Sequence, residues 1–316
     1  MERQVTVYEV GPRDGLQNEA RSVSTSDKLA LIAALAGAGL PRIEATSFVS
    51  PRWIPQLADA DAVVGALTSP AGSGDTGYVA LVPNAKGLAR LQGALGEGGA
   101  RAPVDVAVVV SASESHNRKN LNRSVGETLA ELSTLVPVAR AAGLRVRGYV
   151  SVAWGCPYEG PVDPGRVAEV AGQLLALGCH QVSVGDTIGV GTPRQTRALV
   201  PRLLRAGPAE AFALHLHDTR GTALANVLAG LDLGLTTFDA AVGGLGGCPY
   251  APGASGNLAT EDLVYLLEGM GLATGVDWEK LVDAGALAER LVGRPLPGRA
   301  LQAARAARAT RAVPIR

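Results

Sequence analysis

The feature that most limits what this chain can fold into is an eightfold succession of short β-branched or aliphatic runs, each followed by an amphipathic helical stretch. The extended runs fall at residues 5–10, 42–48, 78–82, 104–110, 145–152, 181–186, 211–217 and 237–242. The helical patterns fall at 24–39, 56–67, 86–95, 125–142, 164–177, 193–206, 222–233 and 260–270. Ser24 or Thr25 caps the first helix, with Asp27 in its first turn. The run at 104–110 is nearly all Val and Ala, as expected of a strand covered on both faces. Eight such units with short right-handed crossovers predict an α/β protein, a single (β/α)8 TIM barrel. A doubly wound open sheet would carry a glycine-rich phosphate turn after its first strand, and Gly11-Pro12-Arg13-Asp14-Gly15 has the wrong spacing for one. Residues 1–276 are thus expected to form the barrel. Residues 277–316 add a helix near 278–292 and an Arg/Ala-rich tail, read as a basic arm or as a solvated helix face or frayed end.

Charge narrows the function. Lys plus Arg number 29 and Asp plus Glu number 29, so no long-range field recruits nucleic acid or an anionic membrane. A small-molecule substrate is the expected partner. The three cysteines, Cys156, Cys179 and Cys248, have unrelated spacings and make no disulfide framework. With no apolar leader core or membrane span, the expectation is a cytoplasmic protein.

A barrel of this kind builds its site at the carboxyl ends of its strands, and the unusual residues cluster there. Arg13 and Asp14 follow the first strand, Glu44 interrupts the apolar second, Asp186 ends the sixth, and His215 and His217 lie on the seventh. In an extended strand residues two apart face the same way, so both imidazoles reach one point. Only four histidines are present, and two fall in this three-residue window. Each residue has a plainer role open to it: Asp14 in a turn before Gly15, Glu44 as partner to a buried arginine, Asp186 as a cap for the following loop. Together, Asp14, His215, His217 and the amide oxygen of Asn257 make a mixed nitrogen–oxygen set. Such a set suits Mg2+ or Mn2+, while two imidazoles and a carboxylate also accommodate Zn2+ or Fe2+. Cys248 sits in a loop with several glycines, Gly243 to Gly256, where a mobile thiol is a candidate acid or base.

These segments resemble the hydroxymethylglutaryl-CoA lyase family over about residues 4–290. The resemblance is carried by Val10-Gly11-Pro12-Arg13-Asp14-Gly15-Leu16-Gln17-Asn18-Glu19, Thr46 to Pro51, Gly185-Asp186-Thr187-Ile188-Gly189, His215-Leu216-His217-Asp218-Thr219, and Gly244 to Asn257. The cysteine loop is the element specific to these lyases. The first and fourth elements are shared with isopropylmalate and homocitrate synthases and ketoacid aldolases.

The resemblance implies divalent-metal-dependent retro-Claisen cleavage of (S)-3-hydroxy-3-methylglutaryl-CoA to acetyl-CoA and acetoacetate, with no nucleotide cofactor beyond the CoA of the substrate. It assigns the metal to Asp14, His215, His217 and Asn257, the proton-donating thiol to Cys248, and substrate binding to Arg13 and Gln17. Glu44 and Asp186 would support the site, and Asp14 or His215 would take the C3 hydroxyl proton. Lys86, Arg118 and Lys119 are candidate contacts for the CoA phosphates, with solvated loop charges as the alternative. Two departures from the family pattern are Arg220 after the His-Asp-Thr element, where tyrosine is frequent, and His116, where an aromatic is more usual. They bear on acyl-chain or CoA preference. The alternatives are a lyase for a larger 3-hydroxyglutaryl-CoA, a related condensing synthase, and a catalytically inactive barrel acting as a scaffold. A homodimer through the last helix and tail is a further expectation.

Overall fold

The computed structural model describes residues 4–67, 76–96, 104–247 and 256–312. Eight parallel strands close into a barrel: β1 (Thr6–Glu9), β2 (Arg42–Ser47), β3 (Gly77–Leu81), β4 (Val104–Ser111), β5 (Val146–Ser151), β6 (Gln181–Asp186), β7 (Phe212–Leu216) and β8 (Thr237–Ala240). Each pairs with its sequence neighbours, and β8 closes onto β1 in the register Thr6↔Thr237 to Glu9↔Ala240. The barrel expected from the eight repeated units is the one observed.

Helices α1 (Thr25–Gly37), α2 (Ala60–Leu67), α3 (Ala85–Leu95), α4 (Glu114–Leu121), α5 (Val125–Ala141), α6 (Pro164–Leu177), α7 (Pro193–Leu203), α8 (Ala223–Asp232) and α9 (Thr260–Gly269) follow in order, with α10 (Trp278–Val292) and α11 (Arg299–Ala312) beyond. Local chemistry sets several starts. Ser24 caps α1 by accepting from Asp27 N, and Ser124 forms a reciprocal capping box with Glu127 at α5. Two differences from the sequence reading have local causes. The stretch at 56–67 splits into a 3-10 turn, Pro55–Leu57, and α2. The additional α4 has few apolar residues and so no visible stripe, yet Ser113 caps it.

The apolar strand and helix faces form one continuous core, with Leu31, Val106, Val150, Phe212 and Phe238 among its buried members. Among the described residues no helix is long and apolar enough to cross a membrane. Helix α10 packs against α1 and α9, and α11 lies against α9 and α10. The tail is therefore a docked helix over its described length. Arg305 pairs with Glu289, Arg308 with Glu279 and Asp283, and Leu301 is buried. The linker before α11 also reaches the barrel mouth, where Gly298 N donates to Gly243 O at 2.9 Å.

Candidate active site

The first strand delivers its site residues through an unusual turn. Gly11–Gly15 forms one π-helical turn in which the N–H groups of Asp14 and Gly15 donate to Val10 O at 2.7 and 3.2 Å. The packing leaves no room for larger residues: a Cβ at Gly11 would lie 2.5 Å from Glu9 Oε1, and one at Gly15 2.7 Å from Leu245 Cβ. The turn sets Arg13 and Asp14 side by side over the barrel interior, with Arg13 Nη1 donating to Asp14 Oδ1 at 2.6 Å. Arg13 Nε donates to Glu44, which β2 supplies from just before a register shift between Glu44 and Thr46. Such bulges re-aim side chains beside active sites. The buried-arginine partner weighed for Glu44 is therefore Arg13 itself.

The seventh strand brings the imidazoles. His215 is the last residue but one of β7's paired run and His217 follows the strand, bridged to Asn257, with Leu258 N donating to Leu216 O at 2.9 Å. The two Nε2 atoms face each other at 3.2 Å, and each lies 3.9 Å from Asp14 Oδ2. One nitrogen or oxygen from each of the three residues lies within 4.8 Å of the others, close enough to hold a metal ion. Asn257 joins them, donating from Nδ2 to Asp14 Oδ2 at 2.9 Å and to Leu245 O at 3.1 Å, while its buried Oδ1 has no hydrogen-bond partner. An unpaired buried acceptor beside two imidazoles and a carboxylate is a donor set that suits a hard or borderline divalent cation.

Electrostatics favour the same use. Burial works against the charges on Arg13 and Asp14, but each holds the other ionised. Arg13 stays protonated beside Glu44 and Asp14, and Asp14 is held well below the usual carboxylate range by Arg13 and then by the two imidazoles. Burial, and then the neighbouring His215, push His217 down to about 4, which leaves it neutral and able to ligate at ordinary pH.

Arg13, Asp14, His215 and His217 line a cavity of about 370 Å³, together with Gln17, Ser47, Val109, Tyr149 and His116. Trp53, 61% exposed, and Lys119 stand at its border. Lys86 and Arg118 are exposed and do not line it. Burial lowers His116 to about 4, and Ser111 Oγ lies 2.7 Å from its Nδ1. Arg220 staples two loops, donating to Ile188 O at 3.0 Å and Gly189 O at 2.9 Å. Asp186 accepts from Val190 N and Gly191 N at 2.9 and 2.7 Å, so its carboxylate caps the loop after β6, while Gly185 and Thr187 reach the cavity. Cys248 lies outside the described residues; Gly247, next to it, lines the cavity.

The sequence reading missed the layer beneath. Arg147, Tyr149 and Asp239 are buried inside the barrel, where Arg147 clasps Asp239 with both terminal nitrogens at 2.6 and 3.0 Å and donates to Tyr149 at 2.7 Å. The signal was available: each charged residue interrupts a strand, as Glu44 does. Glu9 was also missed. It is wholly buried and accepts from Gly11 N, Val242 N and Thr260 Oγ1, tying the π-turn to the β8 loop.

A closed (β/α)8 barrel with arginine, carboxylate and imidazole groups converging at the carboxyl ends of its strands defines a barrel enzyme equipped for a cation. Within that class, the chain belongs to the HMGL-like family, whose model matches residues 4–288. The hydroxymethylglutaryl-CoA lyase of Pseudomonas mevalonii is 50% identical over 307 residues, covering 96% of this chain and 98% of that relative. The crystal structure of the HMG-CoA lyase of Bacillus subtilis superposes with a TM-score of 0.90 at 47% identity, covering 96% of this chain and 98% of the other. An HMG-CoA lyase of Acinetobacter baumannii, solved in complex with coenzyme A and 3-methylmalate, gives a TM-score of 0.88 at 39% identity over 99% and 98%.

Proposed function

We propose that this protein is a carbon–carbon lyase that cleaves (S)-3-hydroxy-3-methylglutaryl-CoA to acetyl-CoA and acetoacetate. The observation that carries the reading is that Arg13 and the Asp14–His215–His217 cluster line one cavity. The near-full-length likeness to HMG-CoA lyases supports it. Asp14, His215, His217 and Asn257 would hold Mg2+ or Mn2+, which when bound supplies a Lewis acid for the substrate's C3 oxygen.

Cleavage requires loss of the C3 hydroxyl proton, which Asp14 or His215 would take. Charge then develops on the thioester oxygen of the departing enolate. Arg13 is fixed by Glu44 and Asp14 and always protonated, so it donates there without reorganising. Cys248 returns a proton to the nascent acetyl carbon, and Gln17 binds substrate from the cavity wall. Glu44 holds Arg13 in place, and Asp186 shapes the loop behind His215. Trp53 and Lys119 at the border suit an acyl-CoA whose pantetheine arm leaves the cavity. Residues 1–276 would be the catalytic unit and 277–316 the segment that braces it.

The test is acetoacetate release from (S)-3-hydroxy-3-methylglutaryl-CoA with and without EDTA. Metal-dependent release is expected, with turnover collapsing in Cys248→Ala and kcat falling about 10²–10³-fold in Arg13→Met. Absence of acetoacetate from metal-loaded protein rules out this substrate.

A further inference from the structure

We propose that Asp239 is a positioning residue for His215: its carboxylate keeps the imidazole proton on Nδ1 and so frees the Nε2 lone pair for a cation. The proposal rests on the functional reading only in taking His215 as a ligand.

Register brings the two together, because Asp239 on β8 is the direct partner of His215 on the parallel strand β7. Asp239 Oδ2 lies 3.3 Å from His215 Nδ1, a close contact whose angle falls short of a well-formed hydrogen bond, as is common before a site tightens around its ligand. The carboxylate itself has no freedom to swing. Arg147 grips both oxygens, Ser183 Oγ donates to Oδ2 at 2.9 Å, and Arg147 in turn stacks 3.8 Å over the Tyr8 ring and donates from Nε to Gln181 at 3.0 Å.

The contacts continue around the interior as a circuit. From Arg147 they pass through Tyr149 to Glu44, from Glu44 to Arg13, and from Arg13 to Asp14, whose Oδ2 lies 3.9 Å from His215 Nε2. Two of the candidate ligands are therefore aimed by one buried network.

The chemistry gives Asp239 its role. A neutral imidazole carries one proton, and only the form protonated at Nδ1 presents Nε2 as a ligand. An ionised carboxylate accepts and cannot donate, so it selects that form; carboxylate–imidazole pairs behind metal ligands act in this way. In Asp239→Asn the guanidinium fork claims the amide oxygen and turns the NH2 toward His215 Nδ1, which drives the proton to Nε2.

The experiment is long-range 1H–15N spectroscopy of the full-length, EDTA-stripped protein at pH 8, where an ordinary imidazole is neutral. His215 is assigned by the signal lost in His215→Gln, and Mn2+ affinity is measured by calorimetry. Wild type should show His215 protonated at Nδ1. Asp239→Asn should show it protonated at Nε2, with the Mn2+ Kd weakened about 10–100-fold. Because Asp239→Asn leaves Arg147 buried without its counter-charge, the neutral double variant Arg147→Gln/Asp239→Asn is read alongside and should show the same switch. Wild type protonated at Nε2, or a folded variant that keeps the Nδ1 form and binds Mn2+ within twofold of wild type, overturns the proposal. The spectra need no substrate, so failed acyl-CoA cleavage with an intact tautomer switch would sink the substrate reading and leave this inference standing.

Discussion

Two arginine–carboxylate clusters in this molecule use the same chemistry in opposite surroundings. Inside the barrel, Arg147 and Asp239 are essentially inaccessible, are gripped bidentately and are linked onward to Tyr149, Ser183 and His215. On the outside, Arg308 of α11 reaches Glu279 and Asp283 of α10 with a side chain 36% exposed and partners 72% exposed. Water screens the outer cluster, and ordering its long side chains offsets most of the Coulomb gain. In the interior no water replaces a missing partner, so either charge alone is costly. Burial opposes the charge on Asp239, yet the guanidinium of Arg147 beside it brings it down to about 2. Identical pairs thus fasten a helix weakly in one place and specify a site in the other.

The largest effect that would sharpen this contrast is Asp239→Ala, which strands Arg147 and is expected to cost about 3–5 kcal/mol in urea unfolding. If it costs no more than Arg308→Ala, burial does not separate the two clusters.

An intermediate case is Glu261, buried in α9 with Oε2 accepting from Gly243 N and Oε1 unpaired. Burial, reinforced by the charges of Glu9 and Asp262, pushes it up from 4.5 to about 8. A carboxyl raised on folding keeps a proton that the unfolded chain releases, so its stabilisation is present below 4.5 and is lost as pH rises through about 8. Glu9, raised by burial to about 7, acts in the same direction. The depressed His217 and His116 act oppositely, but only below their ordinary 6.5. Between pH 6.5 and 8, wild type should therefore lose on the order of 1–2 kcal/mol relative to Glu261→Gln, as read from paired urea titrations. Parallel curves for the two proteins would show that this carboxyl is already ionised in the fold.

The smallest effect belongs to the surface. Arg308→Ala should change unfolding free energy by no more than about 1 kcal/mol, and 1 M salt should reduce the difference further. A larger loss would mean that the arginine stem packs α11 as well as pairing it.

Much of the site was legible because its signals are local. Arg13 and Asp14 sit in a distinctive turn, and the His215–His217 spacing places both imidazoles on one face whatever surrounds the strand. The capping role of Asp186 was one of two readable in the sequence, and the loop hydrogen bonds to Val190 N and Gly191 N supply it. Arg147 and Asp239 were passed over because a lone charge in a strand shows neither its partner nor whether it faces the interior. Helix α4 escaped because its polar face carries no periodic stripe, and only the Ser113 cap marks it.

By itself the sequence determined the eight repeated units, the closed barrel they imply and the set of residues at the strand ends, since strand periodicity, caps and turns depend on neighbours a few positions away. Only the tertiary structure decided which charges meet. Arg147 and Asp239 are 92 residues apart, and Glu44 and Tyr149 105 apart, so their pairing waits on barrel closure and strand register. The docking of α11 was decided in the same way, by carboxylates on α10 and by the apolar surface that buries Leu301. Local chemistry chose the elements; the register of the closed barrel brought their charges together.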